Sequence, residues 1–307
     1  MSDRVITSRD NPLVKRARAV RDGKIQEQIF IEGVRLAEEA ARSALSIQDV
    51  LYTERLALDE RGKRLLQALT ISSKRATPVS EKVLASVSDT KTPQGVVVLA
   101  ARPAGDRGWG SVDDPERNRA LQDASAQATP PAPHPPLIVI MHRINNPSNA
   151  GAIVRAAEAA GATGALTTEG TADLYSPKAL RGAMGSTFRL PLREGVRFDD
   201  ALSWCASRGI RTISMAAAPT RAYTEIDWTG AHALIVGEEG AGLEGYEIAA
   251  ADEAVHIPMR PPVESLNVAV AAAIVLYEAA RQRGSIEPDA NKIGGGTIRE
   301  STRNDTK

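Results

Sequence analysis

Cysteine is nearly absent from this 307-residue chain, with Cys205 alone, so neither a disulfide frame nor a thiolate metal site can be built within it. The four histidines, His134, His142, His232 and His256, are scattered with no two at ligand spacing, and no metal cofactor is expected. Long apolar runs are missing too. The N-terminal MSDRVITSRD lacks the apolar core of a signal segment and no stretch could span a bilayer, so a cytoplasmic location without a membrane partner is expected. There is no excess charge either: 38 basic residues balance 38 acidic ones, so any nucleic-acid surface must be local. One stretch does lean basic, where Arg4, Arg9, Lys15, Arg16, Arg18, Arg21 and Lys24 face only Asp3, Asp10 and Asp22. Taken alone, that pattern is better explained by a solvated helix face.

The length allows two domains. Residues 1–102 alternate between helix and strand as a compact α/β domain. Asn11 and Pro12 open a basic helix to about Asp22, Ile29–Ile31 read as a strand, and Gly33 leads into the helix VRLAEEAARSA. A strand at Ile47–Tyr52, helices at Asp59–Leu69 and near Ser80–Ala85, and a buried strand at Val96–Ala100 complete it. Residues 103–136 collapse into Gly, Pro, Ala, Asp and Arg, ending in a proline-rich run, and read as an exposed, flexible linker.

A second domain is expected over 137–283, with a polar, disordered tail over 284–307. It opens on the strand LIVIMH, and Asn149 is expected to cap the helix AGAIVRAAEAAG that stops at Gly161. The strand TGALTT, a helix from Ser176 and Pro177, a short strand at Phe188–Leu192, a helix from Asp199 and strands at Thr212–Met215, Ala233–Val236 and Ala254–Ile257 follow. Such alternation predicts a mostly parallel sheet with helices on both faces. The last helix is expected to begin at Ser265, and being apolar on nearly every side to Ala280 it needs a second cover, most simply another copy of the chain.

Three stretches carry chemistry. After the strand ALIV comes GEEGAGLEGYE, in which Gly240, Gly242 and Gly245 fit G-x-G-x-x-G. Only about a dozen residues separate Gly245 from the next strand end, too few for the crossover a dinucleotide site needs, which leaves room for another nucleotide-like ligand. In NNPSNAGAIVRAAEAAG, Arg155 lies among Ile153, Val154, Ala156 and Ala157 and requires an anionic partner or a cleft. A pair with Glu158 would satisfy it. The third is IPMRPPVESLN, which gathers Glu264, Ser265 and Asn267 at a helix start.

Taken in order, NPSNAGAIVRAAEAAG, SPKALRGAMGSTFRLP, GEEGAGL and IPM with SLNVAVAAAIVLYEA resemble the SpoU (TrmH-like) RNA ribose 2'-O-methyltransferases over residues 137 to about 282. ITSRDNPLVKRARAVRDGK, IFIEGVRLAEEA and SDTKTPQGVVVLA are similar to the substrate-binding domain often fused to them, akin to kink-turn-binding ribosomal proteins. The resemblance implies a deep trefoil knot, S-adenosylmethionine as cofactor, a homodimer through the C-terminal domain and structured RNA as substrate, ribosomal RNA ahead of tRNA. It places Arg155, Asn149, Glu239, Ser265 and Asn267 in catalysis, and Met215, Ala216, Gly237, Gly242, Ile257, Met259, Leu266, Asn267 and Ala269 around the cofactor. Arg9, Lys15, Arg16, Arg18, Lys91 and Arg181 are the implied RNA contacts. Glu238 departs from the family, which commonly has Asn there. Base methylation on the same fold, or RNA binding without catalysis, are the competing expectations.

Overall fold

A computed structural model describes residues 5–106, 109, 135–216 and 221–285. In the N-terminal half, α1 (Pro12–Arg21) starts where Asn11 accepts from the Leu13 N–H at 2.9 Å and Pro12 takes the first helical position. The order continues β1 (Gln28–Glu32), α2 (Val34–Arg42), β2 (Ile47–Tyr52), α3 (Glu60–Ser72), β3 (Ser73–Pro78), α4 (Glu81–Val87) and β4 (Val96–Ala101). The sheet runs β1-β4-β2-β3, with β4 antiparallel to both neighbours and β3 parallel to β2. Alternate residues sort the layers: Phe30, Leu51, Val97 and Leu99 pack under α1 and α4, and Ile29, Ile31, Val50 and Val98 under α2 and α3. The strand β3 was not expected, because SKRATP has no apolar alternation; as an edge strand it keeps Lys74 and Arg75 in solvent.

In the C-terminal half the chain runs β5 (Leu137–Met141), α5 (Pro147–Ala159), β6 (Gly164–Thr168), α6 (Pro177–Ala183), α7 (Ser186–Arg189), β7 (Leu192–Val196), α8 (Phe198–Ala206), β8 (Arg211–Met215), β9 (Arg221–Ala222), β10 (His232–Val236), α9 (Gly245–Ala250), β11 (Glu253–His256) and α10 (Val268–Gln282). Seven parallel strands line up as β7-β6-β5-β10-β8-β11-β9. Val139, Leu234 and Val236 face α5 and α10, while Ile138, Ile140 and Ile235 face α8.

Several expectations shift. The helix α5 is capped by Asn146, not Asn149: Pro147 fixes the first turn, which leaves Asn149 at the third helical position with its amide free to point outward. Likewise α10 begins at Val268 rather than Ser265, because the Asn267 side chain accepts from the N–H groups of Ala269 and Val270 at 3.0 and 3.3 Å. The strand expected at Phe188–Leu192 lies instead at Leu192–Val196; Gly185, at φ 94°, turns the chain straight into α7, and Phe188 and Leu190 reach the core from that helix and its exit. Nor is the segment after Pro103 wholly exposed: Gly105 accepts from the Glu194 N–H at 2.7 Å, and Trp109 is buried with its ring 5.0 Å from that of Trp204. Residues 107, 108 and 110–134, and 286–307 of the tail, lie outside the described residues.

The two halves are joined. The strand β1 packs against α6. Arg189 ties Glu39 of α2 to Glu158 of α5, Arg181 bonds Asp89 at 2.8 Å, and Arg102 reaches Asp173 at 2.8 Å and Glu194 at 3.3 Å. Among the described residues no helix is long and apolar enough to cross a membrane, and no cluster of three metal-ligating side chains occurs.

Candidate active site

In a parallel sheet every strand delivers its carboxyl end to the same side, and ligands bind where the strand order reverses. Here the order reverses around β5, from which the chain builds outward to β6 and β7 and then crosses to β8. A cavity of about 540 Å³ opens at that end, within the range of small-molecule sites. Asn145 and Asn149 follow β5, Met215 and Ala216 end β8, Gly237 to Gly242 follow β10, and Ile257 and Met259 follow β11, with Glu264 to Val268 and Ala271 closing it.

The glycines explain the wall. At Gly237 an added Cβ would lie 2.6 Å from the Gly242 carbonyl carbon and 2.7 Å from the Leu243 nitrogen, so only glycine lets the loop fold back on itself. The loop closes with the Gly242 N–H donating to the Glu238 carbonyl at 2.9 Å, and Gly240 and Gly242 take φ of 91° and 70°.

Across this wall runs a chain of amides and carboxylates. The Asn267 side-chain amide donates to Asn149 Oδ1 at 3.1 Å, and Asn149 donates to Glu239 Oε1 at 2.9 Å. The other oxygen of Glu239 accepts from the Asn145 backbone N–H at 3.2 Å, and the Asn145 side chain donates to Glu238 at 3.0 Å. Each acceptor is oriented by the next donor, so the polar edge is fixed before any ligand arrives. Glu238, Glu239 and Glu264 line the cavity and, among the described residues, no Lys or Arg does. Its field favours a ligand that carries positive charge.

A second network, outside the cavity lining, centres on a buried carboxylate. Glu247, fully buried in α9, receives Arg143 and His142 Nε2 at 2.8 Å and the Tyr246 hydroxyl at 3.0 Å on one oxygen, and the Glu244 N–H at 2.7 Å on the other. Burial alone would raise its pKa; the Glu244 N–H, His142 and Tyr246 outweigh that and hold the carboxyl below its usual range. Arg143 adopts φ 53°, uncommon for a side-chain-bearing residue, and its N–H donates to Thr168 Oγ1 at 3.2 Å.

Of the residues assigned from sequence, Asn149, Glu239, Ser265, Asn267, Met215, Ala216, Gly237, Gly242, Ile257, Met259 and Leu266 all line the cavity. Two do not. Ala269 is buried in the core, one residue past the rim, and Val268 and Ala271 take the wall instead. Arg155 is not the buried guanidinium its neighbours suggested: it is exposed, outside the cavity, and Glu158 pairs with Arg189 in its place. The helix turns its apolar arc, Ala150, Ile153, Val154 and Ala157, to the sheet and leaves position 155 on the opposite arc. Among the described residues Arg155 has no hydrogen-bond or ion-pair partner.

Asn145, Glu264, Val268 and Ala271 line the cavity but were not assigned; the doubled Asn145-Asn146 before a proline was the available signal. Burial pushes the Cys205 thiol up to about 12, which removes it as a nucleophile. Of the implied RNA contacts, Arg9 and Lys91 are exposed and Lys15 pairs with Asp10 at 3.0 Å. Arg18 is spent on Ser86, at 2.7 Å from its hydroxyl, and Arg181 on Asp89, so both act as structural ties; Arg16 bonds Asp49.

The comparisons with known proteins agree with this geometry. Residues 136–277 match the SpoU rRNA Methylase family, and residues 11–98 match the MRM3-like substrate binding domain. An uncharacterized tRNA/rRNA methyltransferase of Synechocystis is 32% identical over 91% of this chain and 94% of its own length. The 23S rRNA (guanosine(2553)-2'-O)-methyltransferase RlmP of Bacillus subtilis is 28% identical over 81% of this chain and 86% of its own. The crystal structure of an AdoMet-bound rRNA methyltransferase from Sinorhizobium meliloti superposes with a TM-score of 0.73 at 26% identity, covering 91% of this chain and 97% of that one. With a glycine-walled cavity at the switch point of a parallel sheet and matches along both halves, the chain belongs to the SpoU rRNA methylase family.

Proposed function

We propose that this protein is an S-adenosylmethionine-dependent methyltransferase that acts on a ribose 2'-hydroxyl of ribosomal RNA. The observation that carries the reading is the cavity itself, whose backbone wall at Gly237 and Gly242 meets the ordered chain Asn267–Asn149–Glu239–Asn145. The residues present fit the cofactor: the volume suits it, the apolar side chains of Met215, Ile257 and Leu266 suit a purine, and the acidic rim suits a sulfonium and an ammonium. Bound there, the cofactor supplies an electrophilic methyl group. The chain's own residues do the remainder: the glycine loop and Ile257–Leu266 segment exclude water, and Asn149 and Asn267, held by Glu239, orient the sugar. Alignment of one oxygen with one carbon accounts for much of the acceleration, and neither a metal nor a covalent enzyme intermediate is needed. The N-terminal half, matched to a substrate-binding domain, presents the RNA.

The working form is a homodimer joined through α10, which leaves Val270 50% and Tyr277 47% exposed two turns apart, beside Val263 and Leu266. The pair brings the exposed Arg155 to the reaction site, where its guanidinium donates to a phosphate or to the developing alkoxide while the 2'-hydroxyl proton passes to solvent. The C-terminal segment threads the deep knot of the family, in keeping with β10 entering the sheet between β5 and β8 after β8 is already placed.

The experiment compares Arg155→Ala with wild type. Transfer is expected to be nearly abolished while calorimetry shows cofactor affinity unchanged; turnover like wild type would exclude the role. Methyl groups found in nuclease-resistant dinucleotides assign the ribose, and methyl on a base would replace the reading with base methylation.

A further inference from the structure

Resting on the RNA reading above, a second site lies at the far edge of the N-terminal sheet. A buried carboxylate is ordinarily satisfied by one cation, but Asp49 of β2, its side chain only 4% exposed, has two. Arg16 of α1 bonds one oxygen, and Arg75 of β3 bonds the other from Nη2 at 2.8 Å and Nε at 2.9 Å. Lys74, exposed next to Arg75, has no ion pair among the described residues. Two cations therefore meet one carboxylate, and a third stands beside them with no carboxylate of its own among the described residues. They line a notch of about 310 Å³ together with Gln48, and a second hollow of about 370 Å³ adjoins it at the start of α1, lined by Asn11, Pro12 and Leu13 and sharing Arg16 and Arg75.

Charge on an exposed edge strand also serves to block strand pairing, and Lys74 and Arg75 alone would need no other account. That explanation does not reach Arg16, which comes from a helix, or the notch. Asp49 fixes Arg16 by one charged hydrogen bond and Arg75 by two, and leaves the N–H groups that do not reach it for a further acceptor. Side chains already held in place lose less freedom when a ligand binds, and the planar fork of arginine matches phosphate.

The location matters. The strand β3 closes the sheet on the side away from β1, the strand that packs on α6, so three strand spacings of about 4.8 Å each separate the two edges. We propose that the Arg16–Asp49–Arg75 notch, with Lys74, is a phosphate-binding site for the RNA backbone, gripping a part of the substrate remote from the nucleotide that enters the cavity. The substrate it fits is a folded RNA large enough to touch both places.

The test is filter binding of deproteinised bacterial ribosomal RNA to the full chain over a range of salt. Lys74→Glu/Arg75→Glu is expected to weaken binding at least tenfold and to lower the slope of log K against log salt by about two, at roughly 0.7–0.9 per phosphate contact. The neutral Arg75→Gln, which keeps a hydrogen bond to Asp49, is expected to lower the slope by about one. Lys63→Glu/Arg64→Glu on α3 makes the same charge change elsewhere and is expected to alter binding far less. Equal losses in the two reversals would overturn the proposal, as would unchanged rRNA binding with loss of inorganic phosphate binding, which would mark a small-anion site. A wild type that binds no rRNA while still binding the cofactor would overturn the RNA reading itself; binding by wild type with no effect of the β3 variants overturns only the notch.

Discussion

The N-terminal sheet mixes strand directions and leaves its outer strand β3 charged and open, whereas in the C-terminal sheet all strands run parallel and β5, β6 and β10 are buried along their whole length. The charge divides the same way. The N-terminal half presents exposed arginines and lysines at Arg9, Lys74, Arg75 and Lys91, while the C-terminal cavity is rimmed by Glu238, Glu239 and Glu264. An acidic rim repels a polyanion and attracts a cation, and a basic edge does the reverse. On the reading proposed above, gripping RNA and holding a methyl donor make opposite electrostatic demands, and the chain carries the two kinds of surface on separate halves joined by ion pairs.

Gly237→Ala should break the comparison most sharply. Its Cβ would strike backbone, which cannot swing aside, so S-adenosylmethionine binding is expected to weaken at least tenfold, about 1.4 kcal/mol, with rRNA binding unchanged. Calorimetry beside filter binding reads both, and a parallel loss of RNA affinity would show the two tasks to be coupled. Glu247→Gln probes the second network, outside the cavity lining. Because the folded-state pKa of Glu247 is depressed, its contribution to stability is present above the unfolded carboxyl value of about 4.3 and is lost as pH falls through the folded value. Thermal melts at stepped pH should show the variant less stable than wild type at neutral pH, with the difference shrinking in acid. An equal difference at every pH would assign the loss to packing alone. Arg189→Ala sharpens the comparison least: it removes ties to Glu39 and Glu158 across the seam, but the side chain is 45% exposed and screened. Exposed pairs contribute roughly 0.2–1 kcal/mol each, so the melting temperature should fall by a few degrees within one cooperative transition. A split into two transitions would show that these ties, rather than the shared apolar core, hold the halves together.

Strand and helix periodicity was legible wherever one face is buried and the other wet, as at Ile47–Tyr52, whose bounds match β2 residue for residue. It failed at β3, where an edge strand buries too little to alternate, and at Phe188–Leu192, where a left-handed glycine redirects apolar residues that look like a strand. Helix starts were misplaced by two or three residues because the segments 145–149 and 264–267 each hold several side chains able to cap. Most of the cavity wall was legible through the family resemblance, which grouped Met215, Gly237, Ile257 and Leu266; the residues alone pointed only to a ligand loop after β10 and a polar helix start. The His142–Glu247–Arg143 network was not, since Glu247 lies more than a hundred residues from His142 and Arg143 and none of the three is unusual in its local context.

Sequence by itself determined the two α/β units, the glycine loop after β10 and the family, since these rest on local conformation and ordered motifs. Only the tertiary structure decided that Asn149 faces Glu239 and Asn267, that Arg155 stands in solvent, and that Arg16 and Arg75 share Asp49. The reason is geometric: a helix has two arcs and a strand two faces, and which of them looks inward depends on what packs there from elsewhere in the chain.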